Sequence, residues 1–515
     1  MRLSVLATAL FTTLAIAQPA PAQQLLADWH SCVGDDRAGP LVQITGCSGV
    51  IGSTLEIPSH LAVAHFNRGV SYQDTGATAA ALADYEAALE LDPLLPEAHA
   101  VRGGVRFARA DYAGAEADYD AAIQLKPDLS DGWLGRAAAR TARGARALAL
   151  ADYDQALERS RPSAALLTER GRAWLRFGDT THALADYDAA LKLDASYGPA
   201  RSDRAAVLAG RGELDRALAD YDAAVVSGTA GADALLGRAA VLSAKGELAR
   251  ARADAEAASR LAPDDARARF TLGYLRSIGG RSDAAIRSYD EAIARDPQDA
   301  AAFNNRGDAR RAQGDAKGAL ADFDQALALR PGYMLALANR ADLRLRQGDE
   351  AGAAADLTAV LAQRPDDLGA RLRRAVAFAA GGDFDRAMKD AESGVARAPN
   401  SAEALAARAW VRALANRDLD AALADIGAAI ARNPALPESH DVQGLVRLRR
   451  GESAQALGAY ATALELRPGL ASALYGRGLA EQRLGRLASA RADLTRAAAI
   501  DPDVAKDFAR FGLTP

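Results

Sequence analysis

The chain has 515 residues; half are hydrophobic, only 5% are aromatic, and the formal net charge is −5. Ala, Leu, Arg, Asp and Glu dominate, which favours helices packed closely through small side chains. A nearly balanced charge without a basic stripe excludes the electrostatic footprint of a nucleic-acid binder.

Met1-Arg2 is a short basic start, and Leu3 to Ala17 is an apolar run of signal-peptide length. Two small-x-small sites follow, Ala15-Ile16-Ala17 and Ala20-Pro21-Ala22, and cleavage is expected after Ala22, with Ala17 as the alternative. Residues 1–22 therefore read as a signal peptide and the mature protein as periplasmic or secreted. No Cys follows the run to take a lipid, and no later segment reaches membrane-spanning length, so stable membrane insertion is not expected. The two cysteines, Cys32 and Cys47, would meet an oxidising compartment. They predict one disulfide, whose loop of about 15 residues implies roughly 3 kcal/mol of chain-entropy stabilisation. Trp29 and Cys32 lie in a stretch rich in Asp and Gly. After Pro40, the spacing of Leu41, Ile44, Cys47 and Ile51 predicts one helix. Residues 23–61 thus read as a cap segment fastened by the disulfide.

From residue 62 the chain repeats itself. Ala81-Leu82-Ala83-Asp84-Tyr85-Glu86-Ala87-Ala88-Leu89 returns at Ala183 to Leu191, Ala217 to Val225 and Ala319 to Leu327, always at multiples of 34. Pro93, Pro127, Pro263, Pro297, Pro331, Pro365 and Pro399 keep the same register; Pro434, Pro468 and Pro502 continue it after a one-residue shift near Asn416-Arg417-Asp418. The first unit carries His65, Gly69, Tyr72, Gly76, Ala81, Tyr85, Ala88 and Pro93 at its positions 4, 8, 11, 15, 20, 24, 27 and 32. This pattern resembles the tetratricopeptide repeat. The resemblance implies an all-α, right-handed superhelical solenoid of about thirteen helix-turn-helix units. They start at 62, 96, 130, 164, 198, 232, 266, 300, 334, 368, 402, 437 and 471 and fill residues 62–504. Small residues at 8, 20 and 27 allow close helix approach, and the aromatic at 24 fills the space beside them. Gly at 15 supplies a left-handed helix end, Pro at 32 stops the second helix, and stacking covers what one hairpin leaves bare. The sixth and tenth units have Ala255 and Ala391 in place of the aromatic. The fourth ends on Ala195 and the fifth on Val226-Ser227-Gly228-Thr229, the expected soft points.

Position 7 is Arg in eleven units, from Arg68 to Arg477, and position 23 is Asp in the same eleven, from Asp84 to Asp493. The seventh unit loses both (Leu272, Ser288), as does the twelfth (Gln443, Ala459). Paired loss predicts an Arg–Asp bridge between the two helices of each unit. At the far end, Val504, Phe508 and Phe511 fall at helical spacing, so residues 505–515 read as a closing helix and tail over the last unit.

Nothing along the chain points to a catalytic group, a cofactor or a metal. His65, His99 and His440 occupy position 4, a packing position, and no phosphate loop, nucleophile elbow or zinc-ligand spacing appears. The resemblance instead implies a groove lined by the first helices. Positions 5 and 9 place Phe66, Phe270, Tyr274, Trp410 and Tyr475 there, and position 13 adds Arg346, Arg449 and Arg483. Such a mildly apolar groove with a basic C-terminal part suits an extended segment or helix of a protein partner. The Lys and Asn that form a carboxylate clamp in some relatives are missing from positions 5 and 9. The sequence therefore reads as a non-enzymatic protein-binding scaffold of the cell envelope, or alternatively as a structural part of an export or polysaccharide-secretion machine.

Overall fold

The structure is a computed structural model that describes residues 21–34, 39–228 and 231–515. The signal peptide read in residues 1–22 lies outside these residues except for its last two, and Thr229 also lies outside. Among the described residues there are 29 helices and no strand. The family expectation of an all-α chain of helical hairpins holds.

The chain divides into two compact units, one ending at Glu247 and one beginning at Leu248. The first opens on a hairpin of Pro21–Val33 and Pro40–Ile51, so the segment before residue 62 holds two helices where one was expected. The helical period of Leu25, Trp29 and Cys32 was hidden by the polar residues between them. Those three side chains cluster with Cys47, Val50 and Ala64, the last on the next helix, Pro58–Asp74. Cys32 and Cys47 form the disulfide, with Cα atoms 4.5 Å apart. Gly46 and Gly49 let the two helices close: a Cβ on Gly46 would lie 2.5 Å from the Ser31 Cβ.

The hairpins that follow pair a first helix of about 13 residues with a second of 14, as in Pro96–Ala108 with Tyr112–Leu125 and Ala300–Ala312 with Ala316–Leu329. Local chemistry sets the ends. Pro opens several first helices, and Asp caps many second ones, as when Asp111 accepts from the Gly114 N–H at 2.9 Å. Position 15 adopts positive φ, between 70° and 85° for Gly76, Gly144, Gly178, Gly212, Gly246, Gly280, Gly314, Gly348, Gly382, Gly451 and Gly485. The second unit of the repeat forces Ala110 into the same conformation at φ 61°. The inserted residue after Ala402–Ala415 is absorbed by Asn416 and Asp418, both left-handed.

Each aromatic at position 24 stands on a small residue of its own hairpin. A Cβ on Gly273 would lie 2.7 Å from the Tyr289 ring, and one on Gly307 would lie 2.8 Å from Phe323. Some rings also meet the next hairpin: a Cβ on Gly476 would lie 2.3 Å from Tyr460. Burial pushes these phenols up, to about 12 for Tyr85, Tyr119, Tyr153 and Tyr221. They are packing groups, neutral at any physiological pH.

The Arg–Asp bridges are bidentate. Ten guanidiniums, those of Arg68, Arg102, Arg136, Arg170, Arg204, Arg306, Arg340, Arg374, Arg408 and Arg477, give Nε and Nη2 to the Asp of their own hairpin at 2.5–3.0 Å. The eleventh pair, Arg238 and Asp254, has its members in different compact units. The sequence reading missed the third donor. Nη1 reaches back to the acid at position 25 of the preceding hairpin, as from Arg170 to Asp154 (2.7 Å), Arg204 to Asp188 (2.6 Å), Arg306 to Asp290 (2.6 Å) and Arg340 to Asp324 (2.6 Å). The signal was the recurring Asp-Tyr-Asp, as at Asp186-Tyr187-Asp188: the first Asp closes its own hairpin and the second ties down the next one. Each such Arg therefore links three helices with a fork geometry that Lys cannot supply.

Candidate binding groove

In the second compact unit, the chain does not end as a simple lid on the last hairpin. After the second helix of that hairpin, Leu487–Ile500, a three-residue link leads into the short helix Val504–Arg510. This helix and the residues beyond it lie along the face built by first helices Ala402–Ala415, Pro437–Arg449 and Ala471–Arg483. Phe508 packs against Tyr475, with ring centroids 4.8 Å apart, and Phe511 against Phe384 at 6.3 Å. The Phe511 carbonyl accepts from Arg449 Nη2 at 2.6 Å, and Arg510 reaches Glu350, two hairpins before that of Trp410, at 2.5 Å. Val504 and Leu513 are buried. The spacing Val504, Phe508, Phe511 predicted the helix; that it runs back along the groove depends on Phe384 and Glu350, which no local pattern joins to it.

Beside this segment lies a partly open cavity of about 330 Å³, lined by Trp410, Leu414, Val442, Leu445, Phe508 and Asp441, among others. Asp441 accepts a hydrogen bond from Ser472 Oγ at 2.7 Å. Burial pushes its carboxyl up to about 6, against the lowering effect of Ser472, with Glu438 adding to the rise.

The other candidate contacts fall into different places. Phe66 and Phe270 are half-buried and tilt onto Tyr85 and Tyr289 of their own hairpins, at 6.2 and 5.8 Å, so packing accounts for them. Tyr274 is 46% exposed and available. Trp410 is half-buried in the cavity wall, and Tyr475 is buried beneath Phe508. Arg346 is exposed at the edge of a smaller hollow shared with Arg311, Asn339, Asp342 and Leu345.

Arg449 and Arg483, expected in the groove, each also bind a backbone carbonyl. Arg483 Nη1 binds the Leu448 carbonyl at 2.8 Å and Arg449 Nη2 the Leu414 carbonyl at 3.4 Å; each carbonyl belongs to the last turn of the preceding first helix. Arg176, at the same repeat position, does the same to Thr141 and Ala142. A cation at the C-terminal end of a helix meets unsatisfied carbonyls and the negative end of the dipole, so position 13 joins successive hairpins. Burial and the neighbouring Arg483 charge hold the Arg449 guanidinium below its usual range.

Among the described residues, no three His, Cys, Asp or Glu side chains gather as a metal site, and no helix is long and apolar enough to cross a membrane.

Tetratricopeptide-repeat family models match residues 62–95, 271–333, 344–411 and 442–505. No curated protein matches the sequence. Similar solved structures include a tetratricopeptide repeat protein from Parabacteroides merdae, 18% identical, covering 48% of this chain and 98% of its own, with a TM-score of 0.43. Another is a chain of the APC/C Cut9–Hcn1 hetero-tetramer, 14% identical, covering 90% and 96%, with a TM-score of 0.45. A third is yeast Tom70, 16% identical, covering 87% and 99%, with a TM-score of 0.34. With glycine-turned hairpins in 34-residue register and family matches in both compact units, the chain is a tetratricopeptide-repeat protein.

Proposed function

We propose that this protein is a non-enzymatic interaction scaffold of the bacterial cell envelope that holds helical or extended segments of partner proteins on its first-helix face. One observation carries the reading: in the second unit that face already accepts the segment Val504–Phe511, through Phe508 on Tyr475 and a bond from Arg449 to the Phe511 carbonyl. A surface that seats one amphipathic segment by alternate apolar anchors has the chemistry to seat another. The apolar run Leu3–Ala17 and the Cys32–Cys47 bridge support an exported location. The partner-binding reading is tested by placing a photocrosslinking amino acid at Tyr274, on the face, and at Leu193, an exposed residue closing a second helix. Reproducible protein adducts from position 274 and not from 193 are expected; identical adducts from both, or none from 274, would defeat it. The location is tested by fractionation and by the mass of the mature chain, which should begin at Gln23.

A further inference from the structure

The occupant of the groove is the chain itself, and an open cavity lies beside it. Its helix has only seven residues, and its hold consists of four apolar side chains (Val504, Phe508, Phe511 and Leu513), one carbonyl bond to Arg449 and one exposed ion pair to Glu350. Beside it lies a cavity of about 330 Å³, open on one side, lined on the groove side by the apolar Trp410, Leu414, Val442 and Leu445 together with Asp441 and Ser472. A longer apolar side chain in place of Val504 would add contacts with Trp410, Leu414, Val442 and Leu445. The link Asp501–Asp503 keeps the segment at high effective concentration beside the groove, so a free partner must bind it more tightly than the tethered segment does.

We infer that residues 504–515 are a built-in competitor that closes the groove of the second unit until a partner displaces them. Resting on the scaffold reading above, this names the partner's chemistry: an amphipathic helix with an aliphatic residue, an aromatic four residues on and another three further, matching Val504, Phe508 and Phe511. A basic residue just before the second aromatic, as at Arg510, would meet Glu350. A bulkier side chain at the first of these positions, reaching toward Trp410 and Leu445, gives the partner its advantage over the tail.

The test uses the full-length protein and a fluorescein-labelled synthetic peptide of residues 501–515 as probe. Two release variants are compared with wild type by fluorescence anisotropy. Phe508→Ser/Phe511→Ser removes the anchors. Arg510→Glu replaces the ion pair between half-exposed Arg510 and Glu350 by a like-charge contact while keeping Phe508 and Phe511, and Arg510→Glu/Glu350→Arg restores the pair. Binding at least tenfold tighter than wild type is expected for the first, severalfold tighter for Arg510→Glu, and a return to the wild-type value for the charge swap. Equal binding by wild type and both release variants would overturn the gating role while leaving a helix-binding groove. Absence of binding by every form would overturn both the gate and the groove. Concentration-dependent dimers of a release variant would assign the segment to a second copy of the chain and likewise overturn the intramolecular gate.

Discussion

Ala110 is a residue whose cost can be read directly. Its φ of 61° is the conformation that glycine supplies at the same position in most other hairpins. A left-handed Ala is strained by roughly 1–2 kcal/mol, partly offset by the greater unfolded-state freedom of Gly. Ala110→Gly should therefore stabilise the first unit by about 0.5–1 kcal/mol, seen as a raised melting temperature in calorimetry; a lowered one would contradict the strain. Asp322 is the opposite case. It is buried and accepts from Arg306 twice (3.0 and 2.6 Å) and from Arg310 at 2.9 Å. Asp322→Ala takes the buried acid from two half-buried guanidiniums and leaves Arg306 only Asp290, a loss of about 3 kcal/mol, whereas Arg346→Ala, on an exposed side chain, should change stability by less than about 0.5 kcal/mol. Both are measurable by denaturant unfolding. Asp441 sets a pH dependence. Its folded value, about 6, exceeds the ordinary value near 4, so its neutral form favours the folded groove. That stability is fully present below about pH 4 and is lost as pH rises through about 6. Asp441→Asn should abolish the difference in melting temperature between pH 5 and pH 7 that this group contributes.

At the level of helices, the hairpins are joined by a small set of recurring contacts. The position 7 Arg spans two hairpins, the position 13 Arg closes the preceding first helix, and the position 4 side chain reaches the carbonyl at position 32 of the unit before it. That last bond is seen from Trp133 Nε1 to the Pro127 carbonyl at 2.8 Å and from Arg201 to Ala195. His99 and His440 lie within 3.0 Å of the Pro93 and Pro434 carbonyls, which explains these histidines as inter-hairpin ties. The N-terminal hairpin is held differently, by the disulfide and by Trp29 Nε1 donating to Glu56 at 2.5 Å. Converting both cysteines to Ser should cost about 3 kcal/mol of local stability. Faster amide exchange should be confined to Pro21–Ile51 and the start of Pro58–Asp74; exchange unchanged there would mean the helices pack as well without the bridge.

For the molecule as a whole, stacking means that each hairpin is stabilised mainly by its neighbours, so unfolding need not be all-or-none. Three tryptophans, Trp29, Trp133 and Trp174, belong to the first compact unit and Trp410 to the second. Denaturation followed by tryptophan fluorescence and by far-UV circular dichroism should give non-coincident midpoints, and coincident ones would show a single cooperative unit.

The sequence by itself determined the helical hairpins, their register and the within-hairpin Arg–Asp bridges, because a unit copied many times displays its own constraints. Gly where φ is positive, small residues beneath a ring, and Arg and Asp lost together are legible without coordinates. The Cys32–Cys47 bridge was readable because only two cysteines exist. The helix at Pro21–Val33 was not, because it occurs once and its inward side mixes Asp28 and Ser31, packed on Gly49 and Gly46, with Leu25, Trp29 and Cys32, while Leu26 and Val33 are exposed. Only the tertiary structure decided that Arg449 and Arg483 close helix ends and that Val504–Pro515 turns back into the groove. A carbonyl acceptor leaves no trace in side-chain identity, and the meeting of Arg510 with Glu350 depends on how successive hairpins bring distant helices together, which the local pattern of any one repeat does not encode.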